Sequence, residues 1–336
     1  MSVSPTDDAG YLHPEQKTRK RIDTTLEAAG WVVQDYRSPN LYAGTGVAVR
    51  ELVTNAGPAD YVLFVNRQTV GVIETKKKGT TLSGVEWQTV KYQSNIPEAL
   101  PAYLIDGRLP YGYESTGDET WFTCRMDPEP TARRTFWFHR PETLERQIED
   151  HANHGDGTLR ARIPAMPALV DDPDRLRRAQ FEAITNLERS LNENHSRALI
   201  QMATGSGKTF AAVNISERLI RYAQADRVLF LVDRGNLGKQ TLAEFDGYDV
   251  PGRGRKFTQD YVVQRLTSNR RPIGDSVSVC IATIQRVYSM LRGEAELPED
   301  LDEESSYELA PDRPIEVDYN TELPIEAFDV IIVDEW

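Results

Sequence analysis

Apolar positions change their period along the chain, and the change divides it in two. Residues 14–29 (PEQKTRKRIDTTLEAA) open on a proline, set Ile22 and Leu26 four apart and stop before Gly30, the pattern of a helix with its stop signal. Trp31–Val33 and the stretch up to Pro58 read as loops and short strands. Tyr61–Val65 and Val70–Ile73 are β-branched and aromatic runs separated by Asn66-Arg67-Gln68-Thr69, which predicts a hairpin. Helix is predicted over Gly84–Asn95, and aromatic strands over Glu119–Thr123 and Arg134–Phe138.

Beyond Asp174 the pattern turns to helix and strand in alternation: 174–192, Ala198–Met202, Thr209–Ala223, Val228–Val232, Val277–Ala282 and Val330–Val333. Short continuous apolar strands between helices predict a parallel sheet covered on both faces. Between the two patterns, His151–Pro173 is rich in Gly, Pro and Asp and reads as a linker. The predicted organisation is one α/β domain over 1–150, a linker over 151–173 and a second α/β domain over 174–336.

Composition narrows the class. A chain of 336 residues with 39% hydrophobic positions can bury the cores of two ordinary domains. No run of about 18 apolar residues occurs, and the N-terminus has neither a basic start nor an apolar stretch, so a soluble cytoplasmic protein without a membrane span is expected. Cys124 and Cys280 stand far apart without metal-ligand spacing, which excludes a disulfide framework and a structural zinc site and leaves both as small core residues. The formal charge of −13 argues against nucleic acid until it is located. Residues 294–327 hold 13 carboxylates against Arg313 alone, and the remainder carries 38 basic and 39 acidic residues. The acidity belongs to one insertion, read as a solvated loop in preference to an acidic interaction tail.

Two constellations carry chemistry. Ala203-Thr204-Gly205-Ser206-Gly207-Lys208-Thr209 follows an apolar run and opens a helix with Ala212, Ile215, Leu219 and Tyr222 on one face. Glycines let backbone N–H groups turn toward phosphate at a helix start, Lys208 adds a point charge, and the Thr209 hydroxyl can ligate Mg²⁺. Met202 stands where the general phosphate-loop formula has its first glycine, and the shorter form resembles that of superfamily 2 helicases. Phe328–Trp336 (FDVIIVDEW) delivers Asp334 to a strand end as a further Mg²⁺ ligand, with Glu335 beside it to activate water. Asp233-Arg234, Leu237 and Gln240, and Ile281–Gln285 with Thr283, resemble the helicase motifs that contact the DNA backbone. Gln180 resembles the glutamine that reads the adenine edge in such motors.

The other constellation is Asp60 followed by Glu74-Thr-Lys76. Side chains alternate along a strand, so Glu74 and Lys76 share a face, and a hairpin partner starting at Asp60 brings a second carboxylate there. Two carboxylates and the Ile73 carbonyl make a hard oxygen site for Mg²⁺, with Lys76 to orient water or offset charge on a scissile phosphate. Gln88 and Tyr92 follow four apart on a predicted helix, like the Gln-xxx-Tyr element of RecB-like nucleases. A third acid is expected from the first helix, where Glu15, Asp23 and Glu27 all qualify. Lys77 and Lys78 extend a basic edge or form a solvated turn.

TRKRIDTTLEAAGW, ADYVLFV, GVIETKK, EWQTVKY, FHRPETL, LRRAQFEAI, IQMATGSGKTF, LFLVDRGNL, ATIQ and YNTELPIEAFDVIIVDE occur in that order over nearly the whole chain. Together they resemble the R (motor and nuclease) subunit of type I restriction enzymes. The resemblance implies a PD-(D/E)xK-type endonuclease domain followed by the first RecA-like domain of a superfamily 2 helicase. It further implies ATP and Mg²⁺ as cofactors, ATP-driven translocation and cleavage of double-stranded DNA, and a phage-defence complex with methyltransferase (M) and specificity (S) subunits. On this reading Asp60, Glu74 and Lys76 cut, Gln88 and Tyr92 support them, Thr204–Thr209 hold nucleotide, and Asp334 and Glu335 serve hydrolysis. The second RecA-like domain and helical tail of that family lie outside these residues, so a truncated motor that binds nucleotide weakly and does not turn it over is expected. The same motifs would serve a stand-alone helicase-nuclease of DNA repair or another defence system, or a non-catalytic DNA-binding scaffold.

Overall fold

Helix α1 (Pro14–Ala28) buries Ile22 and Leu26, the apolar pair one turn apart, and ends where Gly30 takes φ 90°. In this computed structural model, which describes residues 14–77, 86–271, 273–303 and 319–334, the chain divides into two units, 1–150 and 151–336.

The first unit is a seven-stranded sheet whose spatial order follows the chain: β1 (Val32–Asp35), β2 (Gly46–Thr54), β3 (Gly57–Val65), β4 (Gln68–Thr75), β5 (Tyr111–Ser115), β6 (Thr120–Cys124) and β7 (Arg133–Thr135). Pairs β1/β2 and β4/β5 are parallel and the others antiparallel. The β3–β4 connection is tighter than the four-residue link expected. Asn66 and Arg67 both take positive φ, 48° and 69°, the two-residue turn whose twist matches that of the flanking strands. Parallel β4 and β5 require a crossover, and α2 (Glu86–Gln93) lies in it. This helix packs so closely on β5 that a Cβ on Gly112 would stand 2.7 Å from Thr89 and 2.9 Å from Gln93. Val47, Val49, Val62, Phe64, Val72 and Leu109 form a core on the sheet, and α3 (Pro141–His154) follows it.

The second unit opens with α4 (Leu159–Arg162) and a 3₁₀ turn (Ile163–Ala165), then α5 (Arg178–Asn192), α6 (Lys208–Ala223), β8 (Val228–Val232) and α7 (Gly235–Gly247). A small hairpin, β9 (Asp249–Val250) with β10 (Arg255–Lys256), and α8 (Phe257–Asp260) lead to β11 (Val262–Arg265), β12 (Val277–Thr283), α9 (Ile284–Leu291), α10 (Glu299–Glu303) and β13 (Val330–Val333). The main sheet has the order β11-β12-β8-β13 and is parallel throughout. Phe230, Val232, Phe245, Val279 and Ile281 are among its buried core residues.

Three expectations change. The stretch 151–173 is not a bare linker: it carries the end of α3, α4 and the 3₁₀ turn, and Ile163 is buried with Leu176, Ile184 and Leu219. Arg218 fixes it further, donating to both oxygens of Glu188 and to the Pro167 carbonyl. Ala198–Met202 is not a strand. It pairs with none of the described strands, and Leu199 is 90% exposed; without a ladder partner its β-branched and aliphatic content cannot hold it in a sheet. The acidic insertion is not simply solvated, because its opening part, residues 294–303, folds back onto the sheet's helices, while 304–318 lie outside the described residues. Cys124 and Cys280 are buried, and burial pushes both thiols up to about 12. Among the described residues no helix is long and apolar enough to cross a membrane.

Candidate active site

In the first unit the hairpin register sets Tyr61 opposite Ile73, and Asp60 and Glu74 are the next residues along the two strands. Asp60 is a hub. Its Oδ2 accepts the Thr75 N–H and the Thr75 hydroxyl, each at 2.8 Å, and its Oδ1 lies 3.3 Å from an Arg19 guanidinium nitrogen. Lys76 Nζ donates to Glu74 Oε1 at 3.0 Å, and the two side chains are only 16% and 15% exposed. Burial raises the Glu74 carboxyl above its ordinary value and the Asp60 charge raises it further, against the opposing pull of Lys76. Tyr92, on α2, feels the same pair: burial raises its phenol, and so do the charges of Glu74 and Asp60. Asp60, Glu74, Lys76 and Tyr92 therefore converge. Gln88 belongs to α2 by its backbone, but its side chain lies outside the described residues, as does Lys78.

Of the three acids the first helix offered as a third ligand, the two whose side chains are described stand apart from the pair. Asp23 accepts from Arg50 Nε at 3.0 Å and from the Tyr61 hydroxyl at 2.8 Å, Glu27 is exposed, and the side chain of Glu15 lies outside the described residues. What α1 presents to Asp60 is Arg19. A carboxylate missed in the sequence is Glu114, which stands in register with Glu74 on the parallel strand β5, is buried, and accepts the Thr89 hydroxyl at 2.7 Å. A signal for it existed, an acid alternating with Tyr111 and Tyr113 in an apolar strand. Among the described residues no three His, Cys, Asp or Glu side chains are grouped to hold a metal, and the expected oxygen pair is Asp60 with Glu74. A divalent cation suits that pair, because it would offset both the burial and the Asp60 charge that raise Glu74.

In the second unit Gly205 and Gly207 take φ 76° and 83°, a left-handed geometry that turns residues 203–207 into the start of α6. Ser206 folds back through its N–H and its hydroxyl onto the Ala203 carbonyl, at 3.1 and 2.6 Å, and Thr204 is exposed. A Cβ on Gly205 would meet nothing within 4 Å. Lys208 is the first residue of α6, and the Thr209 hydroxyl donates to Asp334 Oδ2 at 3.4 Å. Asp334 continues β13 by donating its N–H to the Leu231 carbonyl at 2.9 Å. The open loop, helix start and facing hydroxyl and carboxylate fit a nucleotide's phosphates and a divalent cation. Glu335 lies outside the described residues.

Gln180 is buried and committed to the loop. Its Oε1 accepts the Arg177 N–H at 2.9 Å, and its Nε2 donates to the carbonyls of Ser206 and Gly207 at 3.2 and 3.1 Å. Reading an adenine edge would require it to release those bonds. Asp233, Arg234 and Thr283 stand at the carboxyl ends of β8 and β12, with the Gln285 amide donating to the Asp233 carbonyl at 3.5 Å.

Comparison with known proteins gives two family matches. Residues 174–336 match the family described as type III restriction enzyme, res subunit, and residues 19–109 match the second domain of the type I restriction enzyme EcoKI endonuclease subunit. The EcoKI endonuclease subunit of Escherichia coli (strain K12) is 25% identical over 96% of this chain and 28% of its own length. The SauMSSORF170P endonuclease subunit of Staphylococcus aureus (strain MSSA476), also of a type I enzyme, is 23% identical over 71% of this chain and 25% of its own length. The chain thus spans about a quarter of the curated relatives it matches. Among solved structures, a fragment of a putative HsdR subunit of a type I restriction enzyme from Vibrio vulnificus YJ016 is similar at 19% identity and a TM-score of 0.31, covering 84% of this chain and 49% of that one.

Proposed function

Because the chain belongs to the family of type I restriction enzyme endonuclease subunits, we propose that it carries the DNA-cutting site of such an enzyme and the first nucleotide-gripping domain of its motor. Asp60 and Glu74, with the Ile73 carbonyl, hold Mg²⁺, which when bound supplies an activated water and offsets charge on the phosphate. Arg19 and Thr75 fix the rotamer of Asp60, so the carboxylate is aimed before any cation arrives. Lys76 holds Glu74 through its ion pair and offers its remaining donors to a phosphate oxygen or the attacking water. Tyr92 stands beside the pair from α2, and Gln88, four residues earlier in the sequence, is assigned a supporting role with it.

In the second unit the N–H groups of Thr204 to Gly207 and the Lys208 ammonium hold ATP phosphates, Thr209 and Asp334 bind the accompanying Mg²⁺, and Glu335 activates water. Gln180 ties this loop to the start of α5 and is released to the base. Duplex DNA is the substrate, and methyltransferase and specificity subunits are the partners.

The observation that carries the reading is the convergence of Asp60, Glu74 and Lys76 at the ends of two adjacent strands. Its test is cleavage of supercoiled plasmid by the protein assembled with its partner subunits, with and without Mg²⁺. Asp60→Asn is expected to abolish Mg²⁺-dependent cutting and leave ATP binding intact, whereas Lys208→Ala removes ATP binding. Cleavage unchanged by Asp60→Asn overturns the assignment.

A further inference from the structure

The acidic stretch from Glu294 folds against the carboxyl ends of β8 and β12. Those strands are neighbours, with Thr283 opposite Val232, and each leads into a helix, α7 and α9. At both helix starts the chain's own carboxylates occupy positions that suit an anion. Glu303 Oε2 accepts the Asn236 N–H at 3.1 Å, in the first turn of α7, where backbone donors lack partners within the helix. Gly235 permits the approach, since a Cβ there would stand 2.7 Å from the other Glu303 oxygen. Asp302 accepts the hydroxyl of Thr283, the N-cap of α9, and lies 3.1 Å from Arg286 Nη2. Glu296 pairs with Arg286 Nη1 and accepts the Ser268 hydroxyl and the Asn269 N–H.

Three carboxylates within residues 296–303 thus converge on two helix starts and one guanidinium. Arg286 is 2% exposed, and its Nε finds no hydrogen-bond partner among the described residues, so the carboxylates leave this buried cation incompletely satisfied. Arg265, at the end of β11, lines the same small cavity with Gly235, Thr283 and Asp302. Helix N-termini, a hydroxyl and arginines are the donors that proteins aim at the phosphates of DNA.

We propose that Glu296, Asp302 and Glu303 are phosphate mimics that occupy the donors at the start of α7, Thr283 and Arg286, at the strand ends that resemble DNA-backbone-contacting motifs, so that duplex DNA must displace them. The inference rests on the DNA-handling reading above and adds to it an autoinhibitory contact. A purely structural ion-pair cluster would stabilise the unit without opposing DNA.

The experiment measures binding of the whole 336-residue chain to a short labelled duplex by fluorescence anisotropy across a salt series. Asp302→Asn with Glu303→Gln keeps the shapes and removes the charges, and Glu182→Gln with Glu193→Gln on and just after α5 gives the gain due to net charge alone. The latch variant is expected to bind about tenfold tighter, as when a competent state is freed from a closed one. Its log–log salt slope should steepen by about 1 for each additional phosphate that the freed donors engage. A gain no greater than the control, or an unchanged slope with native melting, overturns the proposal. If the double variant melts early, Glu303→Gln alone decides: about a threefold gain supports the latch and none refutes it. If neither wild type nor variants bind duplex at low salt, the DNA-handling reading falls too; if wild type binds and the variants gain nothing, only the latch fails.

Discussion

Asp60 is asked to hold the hairpin end together and to hold a cation, and two substitutions separate the roles. Asp60→Ala strips a charged acceptor from the Thr75 N–H and hydroxyl. Hydrogen bonds to charged groups contribute about 1.5–3 kcal/mol each, and water reaches the half-buried Thr75, so the net cost is about 2–4 kcal/mol. For a unit of this size that lowers the melting temperature by roughly 6–12 °C. Asp60→Asn keeps one acceptor oxygen and costs about 1 kcal/mol. Mg²⁺ at tenfold its dissociation constant adds about 1.4 kcal/mol to a protein that binds it only when folded, or roughly 5 °C. Calorimetry should therefore show wild type shifted upward by Mg²⁺, and Asp60→Asn nearly as stable but unmoved. A Mg²⁺ shift that survives in Asp60→Asn would refute the cation role, and an unaltered melt in Asp60→Ala would refute the strand-end role. Glu74→Gln moves the other way. Burial holds the Glu74 carboxyl above its unfolded value, so ionisation costs stability at neutral pH and nothing once pH falls below that value. The glutamine variant should be more stable than wild type near pH 7, with the gap closing in acid, while losing Mg²⁺ response.

Burial lowers His139 to about 3, and its Nδ1 lies 2.7 Å from the Tyr113 hydroxyl. The unfolded chain takes up that proton below about 6.5 and the folded chain only near 3, so stability is complete above about 6.5 and falls with pH by up to about 1.4 kcal/mol per unit. His139→Phe should flatten urea midpoints between pH 6.5 and 5, and an unchanged pH slope would count against a buried neutral imidazole. Arg218→Met leaves Glu188 and the Pro167 carbonyl without their donor, at a cost of about 3 kcal/mol, and Glu188→Leu added to it should recover much of that; a double variant as unstable as the single would contradict the pairing. Leu199→Ser should change stability to urea by less than about 0.5 kcal/mol, since the side chain already faces solvent, and a loss of several would mean that 198–202 is packed as a strand.

What could be read in advance followed the range of the interaction concerned. Ile22 and Leu26, Asn66-Arg67 and the glycines of 203–207 act within a few residues, and helix, hairpin and left-handed loop all formed where their chemistry required. The proximity of Asp60 and Glu74 was legible only in outline, because the two-residue turn alone would set Asp60 opposite Ile73, and a bulge between Leu63 and Phe64 shifts the pairing so that Tyr61 stands there instead. Residues whose partners come from distant segments were misjudged. Asp23 looked like a free acid on the first helix until β2 and β3 supplied Arg50 and the Tyr61 hydroxyl. Glu114 was not singled out in the sequence, and only the parallel crossover that brings β5 beside β4 sets it next to Glu74. Residues 198–202 have the composition of a buried strand, but a strand exists by its ladder, and no described strand offers them one. The acidic insertion shows the same limit from the other side: a charge run is soluble by default, and its cost of docking is met only where Arg286, Asn236 and Thr283 wait with donors. Local propensity thus decided which residues could act, and non-local pairing decided which of the many carboxylates became a candidate ligand, a structural clamp or a mimic of phosphate.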